Sequence, residues 1–585
     1  VYYRPFFIFS FYGDYLFWGD EPFGYHLHNI IVHAINTIFS YLFFLLLIES
    51  YTTINNEYRV LSIDEETQNS TLNQVQGKTQ NSSNLAFFAA LLFSLHPLQT
   101  EAVNWISARS DLYATFFLLL ASLSYLLNSK ISNTLTISNN DRRKDLRKTL
   151  FLLLSGFSYL LSLFSKENTL FFPLIVWGFE KMKSDKDNPH KDIFIYFSPF
   201  LLIYLFLRYS SLRSGGVSFV ASFSVLQRHL FQPLIQLDIH SVSLYILNIS
   251  IHLLSSLGFY YKKLIYPFPL NFAIYKIDEE FYGVIGCLIT VALTFSLRKK
   301  GLKVFLLYSW FISLLPTLYL SLSKVAWTPY AERYLYTCSI FFSLFLMVFL
   351  WDIKKLIHSI NNNLNYNKIY TIFLYVLIGG FAVATYQRNE IWRTNINLWE
   401  DTIKKSPDSG YIHLIYGNSL MKKNNKGKAK EEFNKAMVLG EKSSAYFLGL
   451  LSLEEGNYEV AERNFLSITN SHTLSLNTPS RASESFEKLA DLYINNISEF
   501  SQERQGYVLR IIDYYKKINT KENNSEFLFK IGQLYFRIRY YHEAKRFLEK
   551  IIREDSGGIF VSSAHEIINK IKVLQEAGPV RQGKP

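Results

Sequence analysis

Up to about residue 388 the chain is a succession of apolar runs separated by short charged loops, and that pattern leaves few folds open except a bundle of membrane-crossing helices. The run from Leu27 to Ile48 is long enough for a bilayer, since roughly 20 residues of helix cover about 30 Å. Further candidate spans run 85–96, 112–127, 149–164, 169–180, 193–208, 283–297, 303–321, 333–351 and 369–386, several of them short, as re-entrant or tilted helices tend to be. Residues 1–25 are aromatic with Arg4, Asp14, Asp20 and Glu21 interspersed, too polar to span and suited to the interface. The chain opens at Val1 already inside this segment, which reads as a truncated amino terminus.

The loops alternate in charge. Lys130, Arg142, Arg143, Lys144, Arg147 and Lys148 fill one; Lys181, Lys183, Lys186 and Lys191 the next on that side; then Arg298, Lys299, Lys300 and Lys303; then Lys354, Lys355 and Lys368. Placing all four in the cytoplasm puts 96–111, 165–168, 322–333 and everything after 387 on the opposite face. The net charge of +12 is thereby accounted for by sidedness, and nucleic acid is not expected as a partner. The run Val242–Gly258 conflicts with this threading: a single crossing there inverts every later loop, so it is expected to lie along the outer face unless 217–234 supplies a partner crossing. Residues 51–83, rich in Asn, Gln, Thr, Ser and Glu without an apolar period, are expected to form a mobile loop. Cys287 and Cys338 both sit in apolar runs and imply no disulfide framework.

After Trp392 the pattern changes to short paired helices with a repeat. Gly417 is followed at fixed spacing by Ala429, Phe433 and Ala436. The set recurs as Gly449, Tyr458, Ala461 and Phe465, and again as Gly532, Tyr535, Tyr541, Ala544 and Leu548. Small and large positions in this order are where the two helices of a tetratricopeptide unit touch. Residues 486–518 read as a degenerate unit around Leu489, Ala490 and Tyr493. The expected fold is therefore all-α: a polytopic membrane domain over 1–388, an α-solenoid of tetratricopeptide helix pairs over 389–577, and a disordered tail over 578–585.

Chemistry is sought first in HPLQTEAVNWISARSDL, residues 96–112, a charged hairpin between two apolar runs. In hydrocarbon Glu101, Arg109 and Asp111 would each cost several kcal/mol unless paired or wetted. Arg109 offers a planar fork of donors suited to a phosphate or carboxylate, and the bland alternative is a solvated loop with a local ion pair. Glu101 and Asp111 suit a sugar hydroxyl or the positioning of Arg109, and Asp111 equally suits a helix cap. His26, His28 and His33 crowd the start of the first span, where helix-end histidines are a simpler reading than a metal site. Trp327, Tyr330, Tyr334 and Tyr336 suit stacking on a sugar face or, alternatively, a membrane-boundary belt. No metal site or cofactor is expected, although the residues leave a divalent cation open.

The stretches YYRPFFIFSFYGDYLFWGDEPFGYHLHNIIVHAIN, LLFSLHPLQTEAVNWISARSDL, LFSKEN, AERYLY and IWRTNINLWEDTIKKSP, in this order, resemble the multi-span membrane proteins with carboxy-terminal tetratricopeptide repeats of the GT-C glycosyltransferase superfamily, relatives of protein O-mannosyltransferases. The resemblance implies transfer of a sugar, with inversion, from a polyprenyl or dolichyl phosphate carrier to a hydroxyl acceptor at the periplasmic or lumenal face. It places the catalytic acid in a paired-acidic motif upstream of the YRP block, hence before Val1, so neither Asp14 nor Asp20 is assigned that role. Such a reaction asks for a carboxylate base, fixed cations for the leaving phosphate and exclusion of water. Arg109 is the first candidate for the phosphate, followed by Lys166 of SKEN and Arg333 of AERYLY, each beside a carboxylate, Glu167 or Glu332. The rival reading pairs Lys166 with Glu167 and Arg333 with Glu332 as interfacial anchors. Tyr2, Tyr3 and Arg4 are implied to line the lipid-phosphate groove.

Three functions compete on these residues. A transferase places the membrane, a lipid-linked sugar and a protein acceptor bound by the repeats among the partners, and the repeats on the periplasmic or lumenal side. A membrane-anchored scaffold would use only the repeats. A transporter would want ionisable residues at mid-span and broken helices in two halves, and the spans carry almost none.

Overall fold

A computed structural model describes residues 4–60, 68–133, 142–183, 192–214, 239–296, 298–322, 328–360, 366–469, 480–522, 524–555 and 557–576. Among the described residues there are helices and no strand, apart from one isolated bridge between Ile274 and Tyr330. The chain divides into two compact units, Val1–Thr394 and Asn395–Pro585.

The first unit comprises α1 (Pro5–Trp18), α2 (Pro22–Val60), α3 (Gln68–Leu95), α4 (Gln99–Asn104), α5 (Arg109–Asn133), α6 (Arg142–Ser165), α7 (Phe172–Lys183), α8 (Asp192–Ser214), α9 (Ile239–Ile265), α10 (Glu279–Ser296), α11 (Leu302–Leu322), α12 (Cys338–Ile360) and α13 (Tyr366–Trp392). Among the described residues eight helices, parts of α2, α5, α6, α8, α9, α10, α11 and α13, are long and apolar enough to cross a bilayer. Their outer faces stay apolar: Phe206, Leu288 and Val376 are 69%, 66% and 68% exposed, a surface that water would penalise and lipid would not. This is an integral membrane protein.

Between helices, polar groups replace the hydrophobic drive that lipid removes. Ser155 and Ser162 of α6 donate to the carbonyls of Ala121 and Ala114 on α5, at 2.9 and 2.7 Å. Helices α9 and α10 meet through glycines: a Cβ on Gly258 would overlap the carbonyl of Tyr282, and one on Gly286 the carbonyl of Leu254. Bulk at either position must push the two backbones apart.

Several expected boundaries are corrected. The stretch 51–83 is largely helical in its backbone, because α2 continues to Val60 and α3 begins at Gln68; helices propagate out of an apolar span past residues that would not nucleate one. Before α7 a 3-10 turn spans Glu167–Thr169, so that helix starts at Phe172 rather than 169. Likewise Glu332–Leu335 form a 3-10 turn ahead of α12. The segment expected along the outer face belongs to α9, whose Val242–Ile265 meets the same length and composition standard as the other spans. Its possible partner, 217–234, lies outside the described residues, as do Tyr2, Tyr3, Trp327 and the tail 578–585.

The second unit begins with a short helix, Asn395–Lys405, followed by α14 (Gly410–Lys422), α15 (Lys426–Val438), α16 (Ser444–Glu454), α17 (Tyr458–Thr469), α18 (Ser480–Asn495), α19 (Gln502–Glu522), α20 (Ser525–Arg537), α21 (Tyr541–Glu554) and α22 (Val561–Glu576). The spaced glycines face the large residue of the paired helix. A Cβ on Gly417, Gly449 or Gly532 would lie 2.7, 2.6 or 2.7 Å from Phe433, Phe465 or Leu548. Ala429, Phe433, Ala436, Ala461, Phe465, Ala544 and Leu548 are fully enclosed, and Tyr535 is buried. Tyr458 differs, standing at the start of α17 and 38% exposed. Leu489, Ala490 and Tyr493 of the degenerate unit are also enclosed.

The turns repeat as closely as the cores. Two residues past α14, α16 and α20 stand Asn424, Gly456 and Arg539, each with positive φ (60°, 73° and 66°). In each case the next amide returns to a carbonyl five residues back, from Asn425 to Leu420, Asn457 to Ser452 and Tyr540 to Tyr535. A left-handed conformation costs a non-glycine residue about 1–2 kcal/mol. Arg539→Gly is therefore expected to stabilise the repeat unit, by up to about 1 kcal/mol after the added freedom of the unfolded chain is subtracted. Denaturant unfolding of the repeat unit, compared with wild type, checks the sign.

Candidate functional site

The breaks between spans gather the charged residues. At the end of α6 the backbone of Lys166 is extended, with φ −160° and ψ 139°, and this turns its side chain away from Glu167. Lys166 Nζ lies 2.6 Å from both carboxylate oxygens of Asp111, on the first turn of α5. Arg333 pairs with Glu101, whose second oxygen accepts the Arg333 amide at 3.0 Å. Glu332 turns to Lys263 at 2.7 Å and accepts the Asn271 amide at 2.9 Å. Glu167 is held by Arg4 at 3.1 Å and Arg208 at 3.8 Å. Neither neighbour pair of the anchor reading forms: each carboxylate is taken by a cation far away in sequence.

Tyr334 binds two of these pairs together. Lys166 Nζ is 5.2 Å from its ring centroid and the Arg333 guanidinium 4.7 Å, with Trp105 4.6 Å from that same guanidinium. Aromatic faces and carboxylates thus hold the cations in a setting with little water. Tyr336 is enclosed just below, its hydroxyl 2.7 Å from His33 Nδ1 and 3.2 Å from Asn36 Nδ2.

Arg109 stands in a separate nest. Its side chain is fully enclosed: Nη1 is 2.5 Å from Asp14 Oδ2, Nε donates to Asn29 Oδ1 at 2.8 Å and Nη2 to the Tyr25 carbonyl at 2.9 Å. Phe11 covers it at 4.6 Å. Asp14 also faces His28 Nδ1 at 2.6 Å, and His28 Nε2 is 2.5 Å from the Tyr113 hydroxyl. This arrangement ties α1 onto α2 and α5 and leaves the Arg109 guanidinium turned to Asp14 rather than to an entering anion. Asp111, two residues on, serves Lys166 and not Arg109.

Exposure sorts the cluster. Glu101, Asp111, Lys166, Lys263, Glu332 and Arg333 are buried, whereas Arg4, Glu167 and Arg208 are partly open. Burial pushes the Glu101 carboxyl above its ordinary value, offset only in part by Arg333. The Lys166 ammonium is lowered by burial, with Asp111 opposing and Arg4 and Arg333 adding to the fall. Burial alone would raise Glu167, but Arg4 and Arg208 outweigh it and hold that carboxyl at about 2. Because its pKa is depressed in the fold, Glu167 stabilises above about pH 4.5 and loses that contribution as pH falls towards 2. Stability against pH should therefore drop less steeply below pH 4.5 in Glu167→Gln than in wild type; equal slopes would count against this origin.

The sequence pointed to Arg4, Lys166, Arg333, Glu101, Asp111, Glu167 and Glu332, and the structure places all seven in this cluster or its rim. Arg208 and Lys263 were passed over. Their one signal is position, since each is a cation in the last turns of a span, α8 or α9. Among the described residues no group of three or more His, Cys, Asp or Glu side chains could hold a metal ion.

Comparison with known proteins agrees with both halves of this description. Residues 525–556, which cover α20 and α21, match the tetratricopeptide repeat family model. The amino-terminal region is similar to Protein O-mannosyl-transferase Tmtc3 of Drosophila melanogaster, 34% identical over 124 residues, which are 21% of this chain and 12% of that protein. It is also similar to Protein O-mannosyl-transferase TMTC1 of Mus musculus, 32% identical over 123 residues (21% and 10%). A third relative is Protein O-mannosyl-transferase F38B6.6 of Caenorhabditis elegans, 28% identical over 130 residues (22% and 15%). The matched stretch is thus a small part of each relative's own length.

Proposed function

We propose that this chain is a membrane glycosyltransferase of the GT-C type, moving a sugar from a polyprenyl or dolichyl phosphate carrier onto a hydroxyl of a protein Ser or Thr. The reaction runs at the periplasmic or lumenal face, with the repeats on that side. The observation that carries this reading is the composition of the cluster around Tyr334. Four cations, Arg4, Lys166, Arg208 and Arg333, face three carboxylates, Glu101, Asp111 and Glu167. Among the described residues one positive charge remains over, which suits the single negative charge of a phosphodiester. Glu167 sits between the two guanidiniums that water reaches, where an entering phosphate would compete with it. As the sugar leaves, charge grows on that phosphate, and prearranged guanidiniums are the groups that stabilise it most. The similarity to proteins named O-mannosyl-transferases supports the same reading.

The full chain in lipid vesicles, given a polyprenyl-phosphate sugar and a Ser/Thr peptide, is expected to glycosylate the peptide and to ignore a nucleotide sugar. No transfer from the lipid donor, with transfer from the nucleotide sugar, would overturn the assignment. If the repeats present the acceptor, deleting residues 405–576 should weaken acceptor affinity while sparing hydrolysis of the lipid donor. Loss of both together would remove that division of labour.

A further inference from the structure

A second recess opens beside this cluster. It is a cleft of about 840 Å³ between the middle of α9, the start of α10 and the end of α11, walled by His252, Lys276, Asp278, Glu279, Glu280 and Tyr330. One strap connects it to the charged cluster: Tyr330 is buried in its floor and bridged to Ile274, and two residues on the same loop carries Glu332 and Arg333. His252 stands beside Tyr330, Nε2 3.3 Å from the Tyr330 hydroxyl and 3.1 Å from the Ser321 carbonyl, and Nδ1 3.0 Å from Glu279.

The walls are unbalanced in charge. Asp278 caps α10 by accepting the Phe281 amide at 3.0 Å, and Glu279 is engaged by His252, but the Glu280 side chain makes no ion pair among the described residues. Even with His252 counted as a cation, three carboxylates outnumber two positive groups among the described lining residues. The cluster on the near side of the strap carries the opposite surplus. An anion is therefore drawn to one recess and a cation to its neighbour.

We propose that the cleft binds a polypeptide segment bearing Lys or Arg, seating the acceptor so that its hydroxyl-bearing residues reach the charged cluster across the 329–333 strap. This deepens the transferase reading and rests on it for the identity of the ligand as acceptor. The cleft contributes selection by charge, since an opposite-charge contact steers approach and a like-charge contact rejects the wrong partner.

The test uses the full chain in nanodiscs of neutral phosphatidylcholine, so that anionic lipid does not capture the peptide. Binding of a fluorescent Ser/Thr peptide carrying four Lys is compared, by anisotropy, with the same peptide carrying four Gln or four Glu. The Lys peptide should bind at least about tenfold more tightly than the Gln peptide at low salt, and the gap should close towards 1 M salt. Glu280→Gln should weaken the Lys peptide about two- to fivefold, the range for one exposed charge pair. Lys276→Gln should tighten it, a sign that a misfolded variant cannot produce. Equal affinity for the three peptides, or a Lys276→Gln variant that binds no more tightly, would overturn the proposal. The measurement needs no sugar donor, so charge-selective binding without transfer would sink the transferase reading alone. Transfer without charge preference would sink the cleft alone.

Discussion

Arg333→Ala is expected to destabilise the membrane unit by about 3–5 kcal/mol, the usual cost of removing one member of a buried ion pair. Its partner Glu101 is 1% exposed and is also hydrogen bonded to the Arg333 amide, so it has no route to water once the guanidinium is gone. The Trp105 and Tyr334 rings lose the plane between them at the same time. Unfolding by titration of dodecyl sulfate into neutral detergent micelles measures the change. The double variant Glu101→Gln with Arg333→Met should recover much of the loss, because it removes both charges and keeps the volume. A single variant as stable as wild type would mean that the site is wetter than its geometry indicates.

Arg208→Ala is expected to weaken binding of a polyprenyl phosphate by about 10- to 100-fold, which corresponds to about 1.5–3 kcal/mol for one hydrogen bond to a charged group. Arg208→Lys should restore only part of this, since an ammonium is a point charge without the fork of donors. The opposite sign is expected for Glu167→Gln. With the internal carboxylate neutralised, Arg4 and Arg208 lose the anion they hold at 3.1 and 3.8 Å and become available to the phosphate. Affinity should then rise, although the stability that Glu167 contributes above about pH 4.5 is lost. A competition assay with a fluorescent lipid phosphate, run on the full chain in neutral micelles, reads both effects. Unchanged affinity in Arg208→Ala together with weaker binding in Glu167→Gln would remove these guanidiniums from the donor site.

Among the described residues, seven of the eight long apolar helices were legible because each is a local fact: about 20 apolar residues in a row have one low-energy placement whatever the rest of the chain does. The eighth, in α9, contains the run expected along the outer face, and the expected spans 85–96, 169–180 and 333–351 are not among the eight. The helix pairs of the repeats were legible for a similar reason. Gly449 and Phe465 are 16 positions apart in sequence and touch within one hairpin. Boundaries were less so. The sequence signs for a loop over 51–83 were overridden by continuation of the α2 and α3 backbones, and the 3-10 turns at Glu167 and Glu332 leave no mark in composition.

Residue types at the ends of spans told which side chains carry charge, and hydrophobic spacing told which helices exist; these follow from the chain's own chemistry, residue by residue. Which cation meets which carboxylate was decided only by the assembled bundle. Asp111 and Lys166 are 55 residues apart and Glu101 and Arg333 are 232, while the adjacent Lys166–Glu167 and Arg333–Glu332 pairs do not form. The reason is geometric: neighbours in an extended or turning backbone point to different sides, and a charge shut away from water must take whatever partner the packing of distant helices brings within reach.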